Sequence, residues 1–223
     1  MKAKPDFPKY YPLYLNISGK KCVVVGGGRV AERKVERLLD CGAVVEVISQ
    51  KMTPLLMDYS LEGKIVHRKG AYKSAMLSGA FLVIAATNDT SFNGKIGQDA
   101  RRLRMLVNIV DDPKQCDFIV PSLVERGDLR IAVSTGGKSP ALAKKIRKDL
   151  EERYGYEYSL LVDILGELRE RIISEGRGSD ENREDLEAVV YSEVLDYIRT
   201  GRLSEIGALI LRLTGVEMEV KVR

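Results

Sequence analysis

The chain has 223 residues, 44% hydrophobic and 30% charged, which excludes a disordered chain and fits one large or two small globular domains. Its 36 Lys and Arg against 32 Asp and Glu give a formal net charge of +4, carried asymmetrically: residues 1–150 hold 26 basic and 15 acidic residues, and 151–223 hold 10 and 17. No apolar run approaches the roughly 18–20 residues that a membrane span needs, and MKAKPDFPKYYPLYL lacks the apolar block of a signal peptide. Three cysteines without a CxxC spacing argue against a disulfide scaffold or a zinc site and suit a reducing cytoplasm. One histidine, His67, excludes a His-rich metal centre and reads as a surface residue.

In chain order, Tyr10, Tyr11 and Tyr14 read as packing the first segment against a sheet. KCVVV (21–25) reads as a buried strand, followed by a glycine triplet and a helix in which Val30, Val35, Leu38 and Leu39 share helical spacing up to the stop at Gly42. Strands are predicted at 44–48, 65–67, 81–86 and 106–110, with helices at 54–61 and 91–104. The apolar run Phe81–Ala86 has the character of a parallel strand covered on both faces. The alternation predicts a parallel sheet, and it breaks after Asp112-Pro113. Strands at 118–124 and 129–134 then flank a hairpin turn. Ser139-Pro140 starts a helix to about Arg153, and helices follow at 159–174, 184–199 and 203–213. The fold class is therefore α/β: a Rossmann-type domain over 1–112, a linking hairpin and helix over 113–150, and a helical domain over 151–223.

Gly26-Gly27-Gly28-Arg29-Val30-Ala31 fits G-x-G-x-x-A between a strand and a helix. Gly26 permits the tight turn, Gly28 lets a pyrophosphate approach the backbone, and Ala31 allows close packing of helix on strand. Free amides at the helix start then face the phosphates. The acid that usually ends the second strand is missing. Ser49 and Gln50 stand there and can bond a ribose, while Lys51 would favour a 2′-phosphate, so the chemistry alone leaves NAD and NADP open. Gly137-Lys138-Ser139 looks like the tail of a phosphate-binding loop, but Ala132 replaces the first glycine of that spacing. An anion site at the helix start remains. Asp111 lies at the C-terminal end of a parallel strand, where a carboxylate can act as a general base, or where Asp111-Asp112-Pro113 can simply be a turn. Cys22 reads as core, Cys41 as a helix end and Cys116 as a bystander.

The segments YPLYL (11–15), GGGRVAERKVERLLDCGA (26–43), AATND (85–89), VNIVDDP (107–113), FIVPS (118–122) and AVSTGGKSPALAKKIR (132–147) together resemble the precorrin-2 dehydrogenase family. This is the siroheme synthase module found alone or fused to a methyltransferase. The resemblance covers about residues 10–150 and implies NAD-dependent oxidation of precorrin-2 to sirohydrochlorin. Some members also insert Fe2+ and others do not, and no His/Cys cluster marks an iron site here. The resemblance implies that Gly26, Gly28, Arg29, Val30, Ser49, Gln50 and Thr87 bind NAD, that Asp111 is catalytic, and that Asn108, Thr135, Gly136 and Lys138 meet the tetrapyrrole. It further implies a homodimer built on the 113–150 region. No methyltransferase pattern follows, so the stand-alone form is expected. Two rival readings are another Rossmann oxidoreductase and a non-catalytic NAD-sensing protein. Nucleic-acid binding is disfavoured, with no helix-turn-helix pattern and 6% aromatic residues.

Overall fold

The structure, a computed structural model, describes residues 9–220. The expectation that MKAKPDFPKYYPLYL is no signal peptide falls in part on residues 1–8, outside that range. The chain divides into two compact units, the first ending at Val120 and the second beginning at Pro121.

The first unit is a five-stranded parallel sheet in the order β3-β2-β1-β4-β5. Its strands are β1 (Lys21–Val25), β2 (Val44–Ser49), β3 (Ile65–Lys69), β4 (Leu82–Ala85) and β5 (Leu106–Ile109), and its helices are α1 (Arg29–Asp40), α2 (Pro54–Leu61) and α3 (Thr90–Arg102). Strand alternation divides the core in two. Cys22, Val24, Val45, Val47, Leu82 and Ile84 pack with Val35 and Leu38 of α1, whereas Val23, Val25, Val83, Val107 and Ile109 pack with Ile96 and Ala100 of α3. With both faces covered, strands such as KCVVV read as unbroken apolar runs. The exception is buried Glu46 on β2, which pairs with Lys21 at 3.3 Å and Arg68 at 3.0 Å from the two flanking strands.

The second unit holds the antiparallel hairpin β6 (Ser122–Arg126) and β7 (Leu129–Val133), then α4 (Pro140–Arg153), α5 (Glu157–Ser174), α6 (Ser179–Val190), α7 (Val194–Arg199) and α8 (Leu203–Thr214). Its core runs through Leu161, Ile164, Leu168 and Ile172 of α5 onto Val189, Val194, Ile206 and Ile210.

Three sequence expectations need correction. The segment 118–121 is not strand, and β6 begins only at Ser122. The single helix expected over 184–199 is two. Ser192 Oγ donates to Val189 O (2.8 Å) and accepts from Val194 N (3.2 Å), which ends α6 and starts α7. Finally, Tyr11 and Tyr14 are exposed rather than packed on the sheet, and Tyr10 is tied down by its hydroxyl, which donates to Pro113 O at 3.0 Å.

Candidate functional site

In an all-parallel sheet the C-terminal strand ends share one edge. The strand order here reverses between β1 and β4, which is where such sheets bind ligands. A cleft of about 690 Å³ opens there, lined by the glycine triplet, Ser49–Thr53, Gly70–Tyr72, Ala86–Asp89 and Phe92.

Each glycine of the triplet is needed for a different reason. Gly26 has φ 133°, and a Cβ on it would lie 2.3 Å from Ala86 O. Gly27 approaches the β2–α2 loop so closely that a Cβ would meet Lys51 O at 2.0 Å, and its carbonyl accepts from Thr53 N. Only Gly26 and Gly28 were singled out from sequence; the middle glycine of GGG was a signal for this tight approach. Gly28 has neither constraint. Its φ is −86° and a Cβ would meet nothing within 4 Å, so the space it leaves opens on the cleft.

Gly28 is also the N-cap of α1, with no side-chain cap. The first amide of the helix to find a backbone acceptor is Glu32 N, on Gly28 O at 2.9 Å, which leaves the preceding first-turn amides for an anion. This cradle fits a dinucleotide pyrophosphate. Arg29 and Val30 stand in the same first turn but do not line the cleft.

At the other end, buried Ser49 is held by His67. Nε2 of His67 lies 3.2 Å from Ser49 Oγ and 3.1 Å from Ser49 O. A carbonyl only accepts, so Nε2 carries the proton and the Ser49 hydroxyl hydrogen stays available for a ribose oxygen. His67 is therefore half-buried and engaged, not an ordinary surface histidine. Gln50 and Lys51 are exposed on the cleft rim.

Thr87 follows β4 and is fixed by Asn93, a residue that sequence reasoning missed. Asn93 is buried on α3. Its Oδ1 accepts from Thr87 N (3.0 Å) and Thr87 Oγ1 (2.7 Å), and its Nδ2 donates to Thr87 O (3.0 Å). Tyr72 and Phe92 meet edge to face on the cleft wall, with centroids 5.7 Å apart. The Tyr72 hydroxyl donates to Asp99 Oδ2 at 3.0 Å, and burial together with that carboxylate pushes the phenol up, so it stays neutral.

Asp111 lies outside the residues lining this cleft, one strand further along the same edge. It occupies the corner of a turn closed by Asp112 N on Ile109 O (3.2 Å), with φ 65° and an exposed side chain. Asp112 shapes the turn instead. Its Oδ2 accepts from Gln115 Nε2 at 2.6 Å and its carbonyl from the Cys116 thiol at 3.2 Å. Cys116 fastens the turn: its sulfur also accepts from Ile109 N (3.1 Å), and burial pushes the thiol up, keeping its proton. Asn108 is buried, and its amide donates to Phe118 O at 2.9 Å.

Thr135, Gly136 and Lys138 lie in the second unit, in the β7–α4 turn. Thr135 Oγ1 accepts from Ser139 N (3.1 Å) and donates to Ser139 O (3.0 Å), while Ser139 Oγ caps α4 at Leu142 N (3.2 Å). Gly136 has φ 62° and Lys138 is exposed. Among the described residues no cluster of three or more His, Cys, Asp or Glu is arranged to hold a metal. No helix among them is long and apolar enough to cross a membrane.

Comparison with known proteins agrees with this geometry. Residues 13–122 match a family model described as "Putative NAD(P)-binding", and residues 126–153 match one described as "Sirohaem biosynthesis protein central". The chain is 38% identical over 208 residues to a siroheme synthase of Nitrosococcus oceani, covering 93% of this chain and 44% of that protein. It is 42% identical over 167 residues to a siroheme synthase of Nitrosospira multiformis, covering 73% and 35%. It thus spans less than half the length of these relatives. The solved structure of SirC, precorrin-2 dehydrogenase, shares the fold with a TM-score of 0.76 at 24% identity, covering 91% of this chain and all of that one. An NAD(P)-binding sheet followed by a sirohaem-biosynthesis central segment, in that order and at these identities, places the chain in the siroheme synthase family.

Proposed function

We propose that this chain oxidises precorrin-2 to sirohydrochlorin with NAD as the oxidant, in siroheme biosynthesis. The observation that carries the reading is the open α1 terminus behind Gly28 in a family whose named members make siroheme. Bound NAD supplies the two-electron acceptor. Gly26, Gly28 and the first turn with Arg29 and Val30 hold its pyrophosphate. Ser49, oriented by His67, and Gln50 take the adenosine ribose, and Thr87 borders the cleft opposite them. NAD is favoured over NADP by the family resemblance, with Lys51 narrowing the margin.

Asp111 takes the proton that leaves the macrocycle as its C–H bonds are oxidised. An exposed carboxylate at a strand end is accessible to a large substrate. Asn108 lines the approach to it, and Thr135, Gly136 and the Lys138 ammonium receive substrate carboxylates at the start of α4. Where the chain also inserts Fe2+ into the product, Asp111 is the residue we assign to that step too. The free cysteines suit a reducing cytoplasm. The deciding experiment is anaerobic incubation of the chain with precorrin-2 and either NAD or NADP, with and without Fe2+, followed by absorbance. NAD-dependent appearance of sirohydrochlorin supports the reading. No conversion, or a clear preference for NADP, overturns it.

A further inference from the structure

One cation of the first unit stands where amphipathic patterning calls for an apolar residue. Lys34 lies midway along α1, four residues after Val30 and four before Leu38, and both neighbours pack against the core on that side of the sheet. Ala31 and Val35 beside them are fully buried. Lys34 is itself half-buried. Its four-carbon stem suits such a stripe, but its ammonium does not. Among the described residues it makes no ion pair and no hydrogen bond. Desolvation lowers its pKa, and the neighbouring Arg33 adds to that. An anion arriving here would offset that desolvation.

The surroundings say where that anion would come from. Val110 and Phe118, on either side of the Asp111 turn, pack on the same core cluster as Val30 and Leu38. The Cys116 thiol is within electrostatic reach of Lys34, and it is hydrogen-bonded to the carbonyl of Asp112, the residue after Asp111. Lys34 therefore lies on the same side of the sheet as residues flanking the Asp111 turn, within electrostatic reach of Cys116. Of the carboxylates around this corner, Asp112 is engaged with Gln115 and Asp117 with Val107 N and Arg101, while Asp111 stays exposed for the substrate.

We propose that Lys34 is a substrate-binding residue, a pre-desolvated ammonium that captures one peripheral carboxylate of the macrocycle and presents the ring to Asp111. The inference rests on the dehydrogenase reading above. With no internal partner to displace, the ammonium gains a full ion pair in a medium less screening than water. It would discriminate against substrates whose carboxylates are esterified.

The test uses the full chain, with Lys34→Met to keep the stem and Lys34→Arg to keep the charge. For Lys34→Met, NAD affinity and kcat are expected to stay near wild type while KM for precorrin-2 rises about 10- to 100-fold, the range for losing one hydrogen bond to a charged group. The dissociation constant for sirohydrochlorin, read by difference absorbance without cofactor, should rise in parallel. Lys34→Arg should recover most of both. The melting temperature of Lys34→Met should hold or rise, since a desolvated charge has gone. A wild-type chain with no turnover refutes the dehydrogenase reading itself. A wild type that turns over, beside a Lys34→Met protein with unchanged KM and unchanged product affinity, overturns the Lys34 inference alone.

Discussion

Asp111 holds a left-handed backbone, φ 65°, at the corner of its turn. That conformation costs most residues roughly 1–2 kcal/mol, and Asp and Asn less because their short polar side chains bond locally. This decides how the catalytic assignment should be tested. Asp111→Ala would combine loss of the carboxylate with added backbone strain, whereas Asp111→Asn removes only the base. We expect Asp111→Asn to keep its fold and NAD binding and to lose dehydrogenation by about 10²–10⁴-fold, the usual worth of a positioned acid–base group. Asp112→Asn, which keeps an acceptor for Gln115, should retain most activity. Equal losses at both positions would assign the effect to loop structure. The glycines allow a second separation. Gly28→Ala is expected to melt with the wild type yet lose at least tenfold in NAD affinity, because its methyl would enter open cleft rather than protein. Gly26→Ala should lower the melting temperature, since the new Cβ would strike Ala86 O. Equal behaviour of the two variants in calorimetry and cofactor titration would remove the pyrophosphate assignment. Gly26 and Gly28 are marked in the sequence by backbone chemistry, whereas strand position alone left Asp111 open between base and turn, and its catalytic reading comes from the family resemblance. Sequence could not reach Asn93 or His67, whose roles depend on partners 6 and 18 residues away across the fold.

At the scale of elements, the parallel sheet was legible because burial on both faces writes each strand as a short apolar block. Boundaries were less so. The Ser192 side chain divides what apolar spacing presents as one helix, and spacing carries no record of a capping hydroxyl. The polar run Ser179–Asn182 looks like a break but is the first turn of α6. Asp180 and Glu181 favour the helix dipole there, and the Glu181 carboxylate accepts from Gly178 N at 3.2 Å. The end of α3 yields a stability prediction. Arg104 N bonds Arg101 O (2.9 Å) and Met105 N bonds Ala100 O (3.0 Å), the paired closure that places Arg104 in the left-handed position, φ 58°. Glycine is the usual occupant there. Arg104→Gly should stabilise the protein by about 1 kcal/mol, or about 2–4 °C in Tm, without touching the cleft. A lower Tm would show that the Arg104 side chain contributes more than its backbone costs.

At the scale of the molecule, the second unit offers an apolar surface that its own core does not use. Leu142 and Ile146 lie one turn apart on α4 and are exposed, beside Lys138, Lys144 and Lys145. The hairpin β6–β7 forms a sheet of two strands only, so its outer edges carry unpaired amides and carbonyls. An isolated pair of strands is marginal in water. A second copy of the chain would cover both features at once, in the self-complementary manner of a two-fold dimer. Light scattering at micromolar concentration is therefore expected to give twice the 24.9 kDa of the chain. A charge placed in the apolar face, as in Ile146→Glu, should return the mass to that of one chain. The same variant should still bind NAD with unchanged affinity, because every residue lining the cofactor cleft belongs to the first unit. Turnover should fall if the two-fold assembly completes the substrate site around Thr135, Gly136 and Lys138. A wild-type monomer at micromolar concentration would overturn the dimer, and would leave Leu142 and Ile146 in need of another occupant.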